Sequence, residues 1–347
     1  MNVVAALRQR PQLLFLLLAV YFRSMVVVTL LNSRSSDIIE RSARHVAVAI
    51  VHSVIGKKND HYRIQQAQAW IMPLFILTCV IIWFLLVQLA FTGILWGLRI
   101  EPNIWRALSA SGSALSTLGF LTPSNFVGEY LAIFQAAIGL AIVILLFTFV
   151  PGYQASVQTR ERKVGWLYTR TNEDPTAERF LYWLHSSSGQ TQTQQGWDDW
   201  EDWFRSVRET HTLSPILAYV PSIYKGKSWV VAASTVLDAT SLVMSCLQHG
   251  APDSVRMCRV LGISTLQLLA LQLAGRAPVI DQEIPASEPP KVAEFNRVYD
   301  AMVKAGLPVA EDRNRCLREY LSFRAEYTPY LKQIADATLT PRDLLAT

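Results

Sequence analysis

Residues 109–125 read SASGSALSTLGFLTPSN, and what they offer chemically is hydroxyl groups and bare backbone. The stretch carries no charge, no histidine and no cysteine. Ser, Thr and Gly at this spacing supply oxygen, from side-chain hydroxyls and from peptide carbonyls. Such oxygens can replace the water around a dehydrated cation when several converge on one point. Gly119 permits a backbone conformation that other residues avoid, so successive carbonyls beside it can aim at one axis. One strand of this kind cannot surround an ion. The chemistry therefore needs several copies of the chain, most simply four.

Two apolar runs flank the stretch. Residues 71–98 (IMPLFILTCVIIWFLLVQLAFTGILWGL) and 130–150 (YLAIFQAAIGLAIVILLFTFV) hold no charged residue. Each can cross a hydrocarbon core of about 30 Å as a helix. A weaker run at 12–31 contains Arg23 and reads as a retained membrane segment. An Arg near the centre of a span costs about 2.5–3.5 kcal/mol on insertion scales. Of 32 Lys and Arg and 27 Asp and Glu, residues 1–152 hold 11 and 5, and residues 153–347 hold 21 and 22. The basic excess flanks the spans, which predicts cytoplasmic sides at 32–70 and after 152. It argues for membrane anchoring and against a nucleic-acid partner. Residues 99–129 then lie on the far side, with Arg106 as an interfacial anchor and Glu101 and Glu129 as solvated rim charges. Residues 103–116 read as a re-entrant helix whose carbonyl end points toward the membrane centre, where the helix dipole favours a cation. Non-helical backbone at that depth persists only where protein buries it or it lines water.

At this point the chain resembles the pore-loop potassium channel superfamily, in its bacterial two-helix form with a cytosolic helical tail. The residues that carry the resemblance are STLGF, following a short helix and preceding a Gly-containing span. In the family's pattern, Thr-X-Gly-Tyr/Phe-Gly-Asp, Thr117, Leu118, Gly119 and Phe120 match. Leu121 and Thr122 stand where the second Gly and the Asp would be. The resemblance covers roughly 71–152. It implies a selectivity filter of Thr117, Leu118, Gly119, Phe120 and Leu121. Thr117 would give a hydroxyl and a carbonyl, and Leu118 and Gly119 carbonyls, with the permeant ion at Thr117, Leu118 and Gly119. The Leu118 side chain would sit behind the filter, and Phe120 would wedge against the pore helix near Trp105. Gly139 would be a gating hinge, and Pro151 and Gly152 would end or kink the second span. Leu121 is ill suited to positive φ, which predicts a displaced outer carbonyl ring and a modest preference for potassium over sodium.

The rest of the chain reads as support. Residues 36–54 place Ile39, Val46 and Ile50 roughly opposite Arg41, Arg44, His45 and His52, either as an amphipathic helix on the inner leaflet or as a helix packed on its own protein. Beyond 153 the pattern is helical. It has a flexible loop at 185–196, an aromatic stripe at Trp200, Trp203 and Phe204, and buried or mixed helices in KSWVVAASTVLDATSLVMSCLQH and DSVRMCRVLGISTLQLLALQLAG. A Pro-rich linker, IPASEPP, with Ser287 as a helix cap, precedes helices at 290–305 and 311–338. Cys79, Cys246, Cys258 and Cys316 form no close CxxC pair and read as free thiols, with neither disulfide nor zinc. Asp238, in an apolar helix, needs a polar partner, and His211 is one candidate. Together they form either a tail ligand site or a structural polar site. No nucleotide-binding fingerprint or nucleophile arrangement occurs, so no enzyme and no cofactor is expected. The fold class is an all-α membrane protein: a pore-loop channel domain (helix, re-entrant pore helix, helix) with an α-helical cytosolic domain. Its parts are an N-terminal membrane segment (1–33), a cytoplasmic linker helix (34–70), a pore domain (71–152) and a cytosolic regulatory domain (153–347). The pore domain comprises a span at 71–98, a pore helix at 103–116, a filter at 117–121 and a span at 130–150. The functional reading is a homotetrameric, multi-pass inner-membrane channel for potassium, with sodium second, and with a cytoplasmic tail open to an unknown ligand. The alternatives are a non-conducting membrane-anchored sensor or scaffold, and a subunit similar to four-repeat potassium transporters.

Overall fold

The computed structural model describes residues 18–24, 38–55, 61–123, 125–186, 190–248, 250–278, 289–341 and 345. Among them every regular element is helical and no strand forms; Leu247 and Val309 make an isolated bridge. Among the described residues, four helices are long and apolar enough to cross a membrane. The chain divides into two compact units, Met1–Ser53 with Trp70–Ala155, and Val54–Ala69 with Ser156–Thr347.

The first unit contains most of α1 (Ile38–Ile55), all of α3 (Ile71–Gly97) and α4 (Ile104–Leu115), and the beginning of α5 (Phe126–Arg170). The α2 helix (His61–Gln68) belongs to the second unit. The span predicted at 12–31 lies mostly outside the described residues; 18–24 are helical, and Trp83 of α3 donates its indole N–H to Ser24 Oγ at 3.1 Å. The apolar face expected of α1 differs from the one that packs. Ile39, Ala43, Ala47, Val51 and Ile55 are buried at four-residue spacing, together with Arg44, which pairs with Glu40 at 3.2 Å. Val46 and Ile50 are exposed. The four-residue row joins the small Ala43 and Ala47, which allow close approach, and so wins over the predicted stripe. In α3, Phe75, Cys79, Trp83, Val87 and Ala90 are buried, while Leu77, Ile81, Leu85 and Leu89 face outward. A helix apolar on every side, about 40 Å long, has no face suited to water.

Asn103 caps α4, its side-chain oxygen accepting from Arg106 N at 2.7 Å. The face that α4 turns inward is made of small residues, Ala107, Ala110, Ser111 and Ala114, and it packs extensively along α3. Small residues let two backbones approach closely where hydrocarbon gives no hydrophobic drive. Gly139 of α5 serves the same end. A Cβ there would lie 2.1 Å from the Leu115 carbonyl oxygen, so the carbonyl end of α4 is seated directly on α5.

The second span does not end or break at Pro151 and Gly152. The α5 helix runs without interruption to Arg170. Proline in a helix interior removes one hydrogen bond and costs about 3 kcal/mol. The residues beyond it (Val157, Arg160, Glu161, Val164, Leu167 and Tyr168) are buried in the second unit, and that burial offsets the loss.

The core of the second unit is built around α8 (Trp229–Cys246), 94% of whose apolar window is buried, which leaves it no face for lipid. The α7 helix (Gln190–Leu213) packs along α9 (Asp253–Ala274), and Trp200, Trp203 and Phe204 are all buried between elements. Rings of α5, α6 (Ala177–Ser186) and α7 meet edge to face, as in Trp166–Trp183 at 4.6 Å and Phe180–Trp197 at 5.5 Å between centroids. The loop predicted at 185–196 is shorter than expected: Gln190–Gly196 form the first turns of α7. Gln carries little penalty in a helix, and Trp197 behind it is buried. After α10 (Pro289–Lys304), the helix predicted at 311–338 is two, α11 (Arg313–Ala325) and α12 (Thr328–Ala337). Pro329 in the first turn of α12 would clash with the Ala325 carbonyl if the helix were continuous. Ser287 and most of the Pro-rich linker lie outside the described residues. All four cysteines are buried, and none is joined in a disulfide.

The α2 helix is held by the rest of this unit. Gln65 donates to Lys227 O at 2.6 Å and accepts from Gly226 N at 2.9 Å; Gln68 donates to Thr338 O at 2.6 Å. Two residues separate α2 from the start of α3.

Gly139 and Gly152 give opposite expectations. Gly139→Ala should destabilise the protein by about 1–3 kcal/mol through overpacking on Leu115. Gly152→Ala, with nothing within 4 Å of the new methyl, should be neutral or stabilising by up to about 1 kcal/mol. Thermal unfolding of the purified protein in detergent checks both; an unaffected Gly139→Ala would remove the seat as a source of stability.

Candidate functional site

The segment after α4 is organised by one residue, Ser113. The helix ends in a Schellman arrangement: Thr117 N donates to Ala114 O at 3.0 Å and Leu118 N to Ser113 O at 3.0 Å. Gly119 N also reaches Ser113 O, at 3.2 Å, and Leu121 N reaches Ser113 Oγ at 3.0 Å. The residue in the left-handed position of such a cap is ordinarily Gly. Here it is Thr117, with φ of 57°, followed two residues later by Gly119 at 69°. A β-branched residue there is a strained choice, by about 1–2 kcal/mol.

Signs of φ alternate along this stretch: Ser116 −79°, Thr117 positive, Leu118 negative, Gly119 positive, Phe120 negative. Alternation of right- and left-handed residues turns amides to one side of the chain and carbonyls to the other. The amides of Thr117, Leu118, Gly119 and Leu121 are all engaged with α4. Among the described residues, no donor is bonded to the carbonyls of Thr117, Leu118, Gly119 or Phe120. The segment between the two long helices thus has a strand of unengaged carbonyl oxygens at the negative end of the α4 dipole.

The side chains depart from expectation. Leu118 and Phe120 are 71% and 70% exposed, and Trp105 is 75% exposed, so neither the packing of Leu118 nor the wedge of Phe120 on Trp105 is made within one chain. Leu121 instead packs on Leu95, Ala107 and Ala110, with its φ negative. Glu101 is buried and pairs with Arg106 at 2.8 Å, so it is not a solvated rim charge. Gly139 makes the close contact already described, where a hinge was expected.

Sequence reasoning missed Ser113, and it missed a polar girdle behind it. Ser111 Oγ donates to Gln88 O at 3.0 Å and accepts from Gln135 Nε2 at 2.7 Å. This joins α3, α4 and α5 through buried polar groups. Gln88 and Gln135 stand alone inside apolar runs, which was the available signal.

His211 and Asp238 are not partners. Asp238 meets Arg324 Nε at 3.0 Å and accepts from the Tyr327 hydroxyl and from Ser234 Oγ at 3.4 Å. His211 belongs to a second buried cluster centred on Arg160 of α5. That guanidinium pairs with Glu161 at 2.8 Å and donates to His211 Nε2 at 3.1 Å, Leu217 O at 3.0 Å and Val220 O at 2.9 Å. Glu161 also accepts from the Ser222 hydroxyl. Nothing in the charged run around Arg160 marks it as buried; only the tertiary contacts do. Arg160, Glu161 and His211 are bonded within their cluster, while Asp238 and Arg324 line a pocket together with Arg297 and Tyr320. No group of three metal-binding side chains occurs among the described residues. Comparison with family models, with curated proteins and with solved structures found no match to this chain.

Arg160 can only donate, so His211 Nε2 must be unprotonated. Burial holds the His211 pKa well below its usual 6.5, and the neighbouring Arg160 charge pushes the same way. The unfolded chain takes up this proton near pH 6.5 and the folded chain does not, so stability should fall on acidification below about pH 6.5, by up to about 1.4 kcal/mol per pH unit. His211→Gln keeps an acceptor for Arg160 and removes the titration. Its melting temperature should decline less than the wild type's between about pH 6.5 and about pH 5. Parallel declines would assign the pH sensitivity to other groups.

Proposed function

We propose that the chain is one subunit of a membrane channel for monovalent cations, with four copies surrounding an axis lined by carbonyls of Thr117, Leu118 and Gly119. One observation carries this reading: a strained, uncharged backbone segment between two long apolar helices, with amides tied back to Ser113 and Ala114 and its carbonyls unengaged. Strain of this kind persists where function needs the geometry. Potassium is the favoured ion and sodium the second. Leu121 stands where the family's pattern has its second Gly, so the outermost carbonyl, that of Phe120, is positioned through a single hydrogen bond of the Leu121 amide, and discrimination between the two is modest. The basic flanks favour the inner membrane, with residues 153–347 cytoplasmic.

Regulation by the second unit has its own support. The α2 helix, two residues ahead of α3, and the far half of α5 belong to that unit. A change of state there biases both spans through the covalent chain.

Three measurements test the proposal. Mass measurement in conditions that preserve membrane complexes should give a tetramer. Purified protein in liposomes should pass potassium and sodium and exclude anions, and Gly119→Ala should abolish that flux. Thr117→Gly should stabilise the protein by about 1 kcal/mol by relieving the left-handed strain, yet impair conduction or selectivity. A monomer, or an assembled protein that passes no cation, would favour the scaffold reading. In a conducting wild type, replacing Gln65 and Gln68 by Leu should change open probability and leave the ion preference alone; a shift of preference without a change of gating would refute the division of labour.

A further inference from the structure

We infer that the Ser113 hydroxyl is the positioning group that sets ion preference at the loop's outer end, an inference that rests on the channel reading above. Ser113 holds the segment by two different atoms. Its carbonyl takes Leu118 N and Gly119 N, at 3.0 Å and 3.2 Å, and no substitution of the side chain removes that acceptor. Its hydroxyl oxygen takes Leu121 N, at 3.0 Å, and is the only described acceptor for that amide.

The inner part of the loop is thus held by backbone and the outer part by one side chain. Leu121 has a second restraint, its contact with Leu95, Ala107 and Ala110. That apolar contact is non-directional and leaves the peptide plane between Phe120 and Leu121 free to rotate. The hydrogen bond to Ser113 Oγ fixes the plane, because the Leu121 N–H and the Phe120 carbonyl belong to one rigid peptide. With the N–H aimed at α4, the Phe120 carbonyl must aim away from it, as the Thr117 and Leu118 carbonyls do opposite the Leu118 and Gly119 amides. Ser113 is fully buried, so water does not compete for the bond.

Loss of the hydroxyl should therefore release the outermost carbonyl and spare the inner ones. Ser113→Ala and the near-isosteric Ser113→Cys should keep cation flux while changing the potassium-to-sodium permeability ratio by about twofold to tenfold, the factor that one hydrogen bond of ordinary net worth carries. Ser113→Thr, which keeps the hydroxyl, should restore the wild-type ratio. Two readouts separate the claims: reversal potentials under mixed potassium and sodium gradients, and amide hydrogen exchange across residues 117–122. Faster exchange at the outer end in Ser113→Ala, with an altered ratio rescued by Thr, is the expected result. A conducting wild type whose ratio survives both Ala and Cys overturns the inference and leaves the channel reading standing. A wild type that passes no cation overturns the channel reading, and the selectivity role with it. Unchanged exchange at the outer end in Ser113→Ala overturns the anchor in either case.

Discussion

A peptide amide shut away from water needs a partner, and the first unit is arranged around that constraint. Leaving a buried amide unpaired costs about 1–3 kcal/mol, and more at membrane depth. The chain breaks its helix after Leu115, which frees the amides that follow. Ser113 and Ala114 take up four of them. Turning the chain back tightly enough to reach these acceptors requires left-handed residues at 117 and 119. The strain at Thr117, about 1–2 kcal/mol, is smaller than the cost of several orphaned amides, so the strained turn wins. The return path also needs α4 held close to both neighbours. Ala107, Ala110 and Ser111 allow that against α3, and the bare Cα of Gly139 allows it against α5.

Electrostatics plays the corresponding part in the second unit. Arg160 and Glu161 are adjacent on α5 and both are fully buried. Burying two charges costs several kcal/mol per ion unless geometry and further hydrogen bonds compensate. Arg160 directs its donors to Glu161, His211 and two backbone carbonyls, a fan that the compact ammonium of Lys could not reproduce. The cluster ties α5 to α7 and to the 215–222 segment. The cost of removing one partner from such a cluster, about 3–5 kcal/mol, exceeds what Pro151 takes from the same helix. That is why α5 continues where an isolated helix would be free to stop.

Much of the fold was legible in local chemistry. The uncharged runs at 71–98 and 130–150 correspond to α3 and the first part of α5, because hydrophobicity sustained over a span's length leaves few other conformations. Asn103 marked the start of α4 and the Trp200, Trp203 and Phe204 spacing marked the buried face of α7. The break before α12 was also written locally, in Pro329, and was overlooked within a longer helical pattern. The first turns of α7 lie in a Gln-rich stretch of loop-like composition, and the burial of Trp197 that accompanies them is not written in any local window.

The amino-acid sequence by itself determined the helices, their apolar surfaces and the charge-free segment between two of them, since these follow from residue type and spacing within a few turns. Only the tertiary structure decided which polar groups meet: His211 with Arg160, Asp238 with Arg324 and Tyr327, Ser111 with Gln88 and Gln135. It alone decided that Gly139 is a seat for a carbonyl and that the Leu121 amide is held by a hydroxyl eight residues upstream. Those outcomes depend on which groups lose water together. Desolvation is a property of the packed interior, and no local window of sequence contains it.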